Sequence, residues 1–257
     1  MSELRLDREG PVAIVTLMRA AKLNALTSGM LGGLLAAADE LERDEACRVV
    51  ILTGDGAKSF CAGADIAEWG TLAPLEFGRR WVGEGHRLFD RWARLRQPVI
   101  AMLNGIAFGG GLELAATADY RLAEAHVRVG LPESQVGIVP GWSGTQRLVR
   151  RAGAPAVKRL VLTGEPVDAA EALRLGLVDE VVASGDGMAR ARALAATMAQ
   201  RAPVALQTAK LLVNAAEGEE VSAAIEMLAG ALAAGTADAR EGVQAFRDKR
   251  RPTFEGR

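Results

Sequence analysis

A triple glycine followed by a glutamate is the first feature of the sequence that could do chemistry. Gly109, Gly110 and Gly111 follow an apolar run and open a short helical pattern with Glu113 in its first turn. Glycine lets a ligand approach the backbone closely, and the free N–H groups at a helix N-terminus can stabilise an oxyanion. Gly110 and Glu113 are three residues apart and therefore share a face. The pattern equally fits a tightly packed turn whose glutamate complements the helix dipole.

A second loop of small residues follows an earlier apolar run. Residues 48–53 have the pattern of a buried strand, and after a polar turn the chain continues as Phe-Cys-Ala-Gly-Ala-Asp-Ile over residues 60–66. Such a loop can offer consecutive backbone amides to an acyl carbonyl or an anionic cofactor. Small residues after a strand also occur in ordinary tight turns, so the loop alone leaves both interpretations open.

Other short motifs are absent or incomplete. Neither the dinucleotide fingerprint G-x-G-x-x-G nor the P-loop occurs, and the chain has no Gly-Lys dipeptide. The segment Gly-Trp-Ser-Gly at 141–144 starts like the nucleophile elbow G-x-S-x-G, but its second glycine comes one residue too early. Since only His86 and His126 could assist a serine, we do not favour a hydrolase. We predict instead that Ser143 or Gly144 caps a helix.

Composition excludes several classes of protein. The 257 residues carry 31 basic and 32 acidic side chains, a formal net charge of −1, so no global charge attracts nucleic acid or an anionic membrane. Cys47, Cys61 and two histidines are too few for a disulfide framework or a cysteine-based metal site, and we expect no metal. No run of 18 apolar residues occurs. We expect a cytoplasmic protein with no nucleic-acid or membrane partner.

Hydrophobic periodicity indicates an α/β fold in which strands and helices alternate. Strands are predicted at 4–8 and 12–17, as a hairpin, then at 48–53, 98–103, 120–123, 127–130 as the partner of 120–123, and 178–182. Helices are predicted at 28–44, 74–95, 112–117, 145–152, 155–162, 168–175, 187–201, 203–216, 221–234 and 236–248. We therefore predict an α/β core at 1–200 and a helical region at 201–257.

Taken together in order, these segments resemble the crotonase superfamily, the enoyl-CoA hydratase/isomerase family. The resemblance covers nearly the whole chain, and each motif alone would be weak. The matching segments are 22–26, 60–65, 98–105, 108–114, 131–133, 137–141, 144–148, 162–164, 176–178 and 240–246 with Lys249. The resemblance implies a spiral of repeated ββα units and a C-terminal helical region used for trimerisation, in a homotrimer or a homohexamer built as a dimer of trimers. It also implies an acyl-CoA thioester substrate, with no permanently bound cofactor and coenzyme A present only as part of the substrate.

The same resemblance assigns residues to the site. Glu113 and Glu133 match the two acid/base glutamates of enoyl-CoA hydratases, and Ala62 and Gly110 match the two oxyanion-hole amides. Contacts with the substrate or its coenzyme A fall on Lys22, Ala62, Gly63, Ala64, Asp65, Ile66, Gly109, Gly110 and Lys249.

Two carboxyl groups suit the reversible syn addition of water to a trans-2-enoyl-CoA. Water must be deprotonated near Cβ while a proton is delivered at Cα. By resemblance, Glu113 activates the water and Glu133 supplies the proton. We hypothesise that the helix N-terminus keeps Glu113 ionised, and that apolar neighbours keep Glu133 protonated. These neighbours are Leu131, Pro132, Val136 and Ile138.

Two alternatives and two departures accompany this prediction. An enoyl-CoA isomerase would need a single carboxylate to shuttle a proton, and a non-catalytic RNA-binding or assembly protein could share the fold, although the balanced charge argues against it. Ala20 and Ala21 replace the proline and glutamate common in the family before Lys22. Trp142 replaces a residue that is commonly small. If its ring points inward it reshapes or shortens the pocket, and otherwise it fills core space.

Overall fold

The computed structural model describes residues 3–219 and 221–257. The chain divides into two compact units after Gln207. The domain boundary that the sequence predicts after residue 200, and the role of 201–257 in oligomerisation, stay predictions.

Ten strands and eleven α-helices are found in the described ranges. The strands are β1 Leu4–Glu9, β2 Val12–Leu17, β3 Val49–Gly54, β4 Ser59–Cys61, β5 Val99–Leu103, β6 Ile106–Phe108, β7 Tyr120–Glu124, β8 Arg128–Gly130, β9 Val167–Asp168 and β10 Glu180–Val182. The helices are α1 Ser28–Arg43, α2 Ile66–Trp69, α3 Pro74–Glu76, α4 Gly83–Ala93, α5 Gly110–Ala115, α6 Gly144–Thr163, α7 Ala169–Arg174, α8 Gly187–Ala199, α9 Pro203–Ala216, α10 Val221–Ala234 and α11 Ala237–Arg247.

The strands form two sheets that the chain visits in turn. The six-stranded sheet has the order β1-β2-β3-β5-β7-β10, and the four-stranded sheet has the order β4-β6-β8-β9. From β3 to β8 each strand of the first sheet is followed by one of the second, and helices follow β4, β6 and β8. This alternation confirms the predicted spiral of ββα units, and the antiparallel pairing of β1 with β2 confirms the predicted hairpin.

The six-stranded sheet is covered on both faces. Val15 of β2 belongs to the main core, whereas the adjacent Ile14 packs in a second core with Ala191 and Ala195 of α8. Alternate residues of a strand point to opposite faces, so a sheet covered on both sides needs apolar residues throughout. This requirement explains why β3 is fully buried along its length.

Three predictions about elements are corrected. The short strands β4 and β6 lie where the sequence indicated only a loop and a turn. Strand β8 pairs with β6 and β9 of the other sheet, so the prediction that 127–130 pairs with 120–123 is wrong. The helix predicted at 74–95 is interrupted by a π-helical segment, Phe77–Val82. Strands of three residues are too short to show a period in the sequence.

Two buried asparagines fix the loops that lead to β4. Asn24 accepts a hydrogen bond from the Arg19 N–H at 2.9 Å and donates to the Ser59 carbonyl at 2.8 Å. Asn104, directly after β5, donates to the Gly54 carbonyl at 2.9 Å. Because buried backbone groups need partners, these side chains anchor the chain between β3 and β4.

The second unit, from Thr208 onward, exposes large apolar side chains. Thr236 caps α11, since its hydroxyl accepts a hydrogen bond from the Ala239 N–H at 3.0 Å. Exposed apolar residues of this unit include Leu212, Val213, Ile225, Met227, Leu232, Val243, Phe246 and Phe254. Among the described helices of the whole chain, none is both long and apolar enough to cross a membrane.

Candidate active site

A cavity of about 210 Å³ opens in the first unit between the two glycine-containing loops. Its lining includes eight of the predicted site residues: Ala62, Gly63, Ala64, Ile66, Gly109, Gly110, Glu113 and Glu133. The remaining wall is mostly apolar and includes Trp69, Phe77, Trp81, Val82, Ile138, Val139 and Trp142. A small apolar cavity with a few convergent polar groups is the usual form of a ligand site.

The amide assigned to Ala62 is not available to a ligand. Its N–H donates to the Leu23 carbonyl at 3.0 Å. The prediction that Ala62 supplies an oxyanion-hole donor is therefore wrong, because a donor already paired in the fold has no hydrogen left to offer.

The amide of Ala64 is available in the same loop. Leu26 forms an isolated parallel bridge with Ala64, in which the Leu26 N–H donates to Gly63 O and the Asp65 N–H donates to Leu26 O. Successive amides of an extended chain point to opposite sides, so the N–H of Ala64 points away from Leu26. No described residue accepts a hydrogen bond from it.

Gly110 provides the second amide. It is the first residue of α5, so its N–H has no partner within the helix. The two loops approach so closely that a Cβ on Gly63, where φ is +101°, would lie 3.0 Å from Phe108 O and 3.4 Å from Gly110 N. A Cβ on Gly110 would lie 3.6 Å from Ala64 N. The geometry thus places the Ala64 and Gly110 amides side by side on the cavity.

Glu113 is buried beneath this pair and bound by another segment. Its Oε1 accepts hydrogen bonds from the N–H groups of Trp142 and Gly144, each at 2.9 Å. Burial raises the pKa of Glu113, while the N–H groups of residues 141, 142 and 144 and the Arg147 charge oppose that rise. The donors that favour the ionised form come from the N-terminus of α6, a contribution that the sequence did not predict.

Glu133 faces the same cavity, but its carboxyl group has fewer hydrogen-bond donors than that of Glu113. Its Oε1 lies against Gly109, where φ is +51° and a Cβ would come within 2.9 Å of that oxygen. Its buried Oε2 has no hydrogen-bond partner among the described residues. Burial raises the pKa of Glu133 to about 7, with its own backbone N–H lowering it and the charge of Glu113 raising it further.

Burial raises the pKa of both carboxyl groups, but their surroundings differ. Glu113 accepts several backbone donors, which favour its ionised form, whereas Glu133 sits among apolar groups such as Pro132 and Ile138 with a pKa of about 7. A pair of carboxyl groups in unequal environments is suited to acid/base chemistry. The assignment of base and acid roles remains a proposal.

Three predicted contact residues do not line the cavity. Asp65 caps α2 by accepting from the Ala67 N–H and pairs with Arg19 at 2.7 Å, and this guanidinium lowers the pKa of Asp65. Lys22 is exposed at the end of a 3-10 turn. Lys249 belongs to the second unit and is exposed there. Contacts of these residues with a ligand stay predictions.

A serine, a histidine and an aspartate meet behind the cavity. The Ser143 hydroxyl lies 2.8 Å from His86 Nδ1 and 3.2 Å from Asp90 Oδ1, and Asp90 pairs with Arg147 at 2.7 Å. Ser143 is the N-cap of α6 by position, but its side chain makes no capping bond. Ser143 and His86 are both outside the cavity lining, so the cluster connects α4 to α6 and does not present a nucleophile.

The turn at 141–144 is the part of the site that the sequence prediction missed. The sequence marks Trp142 only as a departure, and nothing in it indicates that the amides of 142 and 144 bind Glu113. The one sequence feature that relates to this contact is the glycine at 144, because a Cβ there would collide with Glu113 Cγ. In the described ranges no three His, Cys, Asp or Glu side chains come together to hold a metal ion.

The family model, the relatives and the solved structure that match this chain all bear the names of acyl-CoA hydratases or of their family. The family model described as enoyl-CoA hydratase/isomerase matches residues 7–257. The short-chain-enoyl-CoA hydratase of Clostridium acetobutylicum is 39% identical over 253 residues, covering 98% of this chain and 97% of that protein. The 2,3-dehydroadipyl-CoA hydratase of Escherichia coli is 37% identical over 259 aligned positions and covers 100% of both chains. A crystal structure of enoyl-CoA hydratase from Bacillus anthracis has a TM-score of 0.82 at 34% identity, covering 99% of this chain and 100% of that chain.

We predict that Gly144→Ala disturbs the support of Glu113. The added methyl group would collide with Glu113 and force a shift of the turn, so the free energy of unfolding falls by about 1–3 kcal/mol. Gly32→Ala in α1 is the matched control, because a Cβ there meets nothing within 4 Å. It should leave stability unchanged or raise it by up to about 1 kcal/mol. Urea denaturation measures both, and equal stability of the two variants would contradict the packing described.

Proposed function

Because the chain belongs to the enoyl-CoA hydratase/isomerase family and is an enzyme of its hydratase class, we propose that it adds water reversibly, in a syn sense, to trans-2-enoyl-CoA thioesters. The observation that supports this most directly is the meeting of two buried carboxyl groups and two free backbone amides in one cavity. An isomerase needs only one carboxylate at this place, whereas Glu113 and Glu133 are both present and differ in environment.

The oxyanion hole acts on the thioester carbonyl. We propose that its oxygen accepts hydrogen bonds from the N–H groups of Ala64 and Gly110. Negative charge moves onto this oxygen when water adds at Cβ, and fixed donors in a water-poor site stabilise the resulting enolate by several kcal/mol. The same interaction withdraws electrons from the double bond and makes Cβ more reactive.

The two glutamates carry out the proton transfers. Glu113, ionised and held by the 141–144 turn, accepts a proton from water as the oxygen attacks Cβ. Glu133, protonated near neutral pH, gives its proton to Cα of the enolate. In the dehydration direction the two roles reverse, with Glu133 ionised and Glu113 protonated.

We further propose that coenzyme A takes part only as the carrier of the acyl group, that no metal or other cofactor is bound, and that the protein works in the cytoplasm in fatty-acid β-oxidation or related acyl degradation. Lys22, Asp65 and Lys249 are proposed as contacts with the coenzyme A portion. The Lys22 and Lys249 ammonium groups are exposed, which suits them to phosphate binding.

We predict that the purified protein removes the conjugated enone absorbance of crotonyl-CoA. Glu113→Gln and Glu133→Gln should each lower kcat by about 10²- to 10⁴-fold, because each deletes one proton-transfer group while keeping its shape. Glu76→Gln, an exposed carboxylate on α3, is the control and should keep full activity. Chromatography identifies the products. A product with a shifted double bond, and no 3-hydroxyacyl-CoA, would favour the isomerase instead.

The pH dependence should separate the roles of the two glutamates. A proton donor must be protonated, so kcat/KM for hydration is expected to fall as pH rises through about 7, where Glu133 ionises. Dehydration of 3-hydroxybutyryl-CoA starts from the same single proton placed on Glu113 instead of Glu133, and the reaction consumes no net proton. Its kcat/KM should therefore fall over the same pH range. The residual activity of Glu133→Gln should lack this transition, and that of Glu113→Gln should keep it. Identical profiles for the two variants would contradict the division of roles.

We propose that 201–257 mediates assembly into a homotrimer or a homohexamer. Exposed side chains such as Leu232 and Phe246, 77% and 86% accessible in the single chain, would be covered in such an assembly. Light scattering should give about three or six times the chain mass of 27.0 kDa. Phe246→Ser should shift the mass downward, whereas Leu75→Ser in the first unit, also exposed, should not. A monomeric wild type would contradict the proposal.

A further inference from the structure

The indole of Trp142 forms part of the wall of the active-site cavity. Its six-membered ring lies against Gly110, so that a Cβ on this glycine would be 2.7 Å from Trp142 Cζ3. The backbone N–H of Trp142 donates to Glu113. A single residue thus touches the helix turn that carries an oxyanion-hole amide and the carboxyl group that faces the reacting carbon.

The indole is held rigidly in this position. Trp142 is only 3% exposed, and its Nε1–H donates to the Trp81 carbonyl at 3.3 Å. Its ring centroid lies 5.4 Å from that of Trp81 and 5.2 Å from that of Phe89, with the second pair in an edge-to-face arrangement. A Cβ on Gly85 of α4 would collide with the indole. The ring is therefore confined between α4 and α5 and cannot swing aside without moving a helix.

The space left for a substrate is small. The cavity volume of about 210 Å³ is below the about 300–1,000 Å³ of pockets that bury drug-sized ligands. The thioester carbon and the two reacting carbons must occupy the part next to Gly110, Glu113 and Glu133. An acyl chain that continues past Cβ then meets the indole and the neighbouring Trp81, both of which line the cavity.

We propose that Trp142 is the residue that restricts this enzyme to short-chain enoyl thioesters, with about four to six acyl carbons, by blocking the path of longer chains. This inference rests on the proposed function, because it places the thioester at the Ala64 and Gly110 amides. The restriction is steric, so it acts on binding of any acyl-CoA as well as on the rate of hydration. Replacing the indole with a small side chain extends the cavity toward Gly85 and Phe89.

A series of substrates tests the proposal. Hydration of trans-2-enoyl-CoAs with 4, 6, 8 and 10 acyl carbons is followed by loss of enone absorbance for the wild type, Trp142→Ala and Trp142→Phe. The wild-type kcat/KM should fall at least about tenfold from four to eight carbons, since a clash with a fixed wall offsets the gain from added methylenes. Trp142→Ala should raise the ratio of eight-carbon to four-carbon kcat/KM at least about tenfold, and Trp142→Phe should fall between.

Trp92→Phe is the matched control for a general loss of packing. Trp92 is fully buried, its Nε1–H donates to the Leu34 carbonyl at 3.0 Å, and it does not line the cavity. Its replacement should lower stability without changing the chain-length ratio. If Trp142→Ala does not fold, the milder Trp142→Phe carries the test alone, because it keeps an aromatic ring next to Phe89 and removes part of the wall.

Binding of saturated butyryl-CoA and octanoyl-CoA, measured by calorimetry, separates the two proposals. The wild type could bind butyryl-CoA more tightly than octanoyl-CoA and yet fail to hydrate any enoyl-CoA. If Trp142→Ala then reduced this binding preference at least about tenfold, the hydratase function would be overturned and the steric role of Trp142 would stand. If the wild type hydrates crotonyl-CoA, but its kcat/KM for the eight-carbon enoyl-CoA is equal or higher, only the role of Trp142 is overturned. An unchanged chain-length ratio in a folded Trp142→Ala or Trp142→Phe would do the same.

Discussion

The site depends on how the fold treats one buried carboxylate. An ionised carboxyl group removed from water costs several kcal/mol unless donors replace the solvent. Glu113 obtains its donors from the N–H groups of Trp142 and Gly144, at the entrance of α6. This requirement explains the glycine at 144, whose missing side chain leaves room for the carboxyl group. It also ties α5 to α6, so the position of the Glu113 carboxylate and the packing of the two helices depend on the same contact.

The spiral arrangement supplies the second half of the site. Strands β4 and β6 are adjacent and parallel in the smaller sheet, so the loops that follow them emerge at the same edge. One loop carries Ala64 and the other carries Gly110, and the glycine at 63 lets them come within contact distance. Glu133 follows β8, the next strand of that sheet, which brings it to the same edge. Repetition of one ββα unit therefore places three functional segments together.

The aromatic wall shows how a specific pocket is added to this scaffold. Trp142 is fixed by the same turn that binds Glu113, so the acyl end of the cavity and the support of the carboxylate are linked through one backbone segment. Gly85 in α4 and Gly110 in α5 are the complementary positions, because either with a side chain would displace the indole. The proposed steric limit on the acyl chain therefore depends on one tryptophan and on two glycines that are distant from it in the sequence.

The sequence by itself determined the α/β class and most of the long helices and buried strands, because periodicity is a property of neighbouring residues. The family resemblance of its motifs pointed to Glu113 and Glu133, which the structure places on one cavity. It also identified both loops, but it assigned the amide to Ala62, and only tertiary structure showed that this N–H is used by Leu23 while that of Ala64 is free. The short strands β4 and β6, the partner of β8 and the donors to Glu113 were likewise decided in three dimensions. In each case the deciding contact joins segments far apart in the chain, and no local pattern records which of several backbone donors such a contact will leave unpaired.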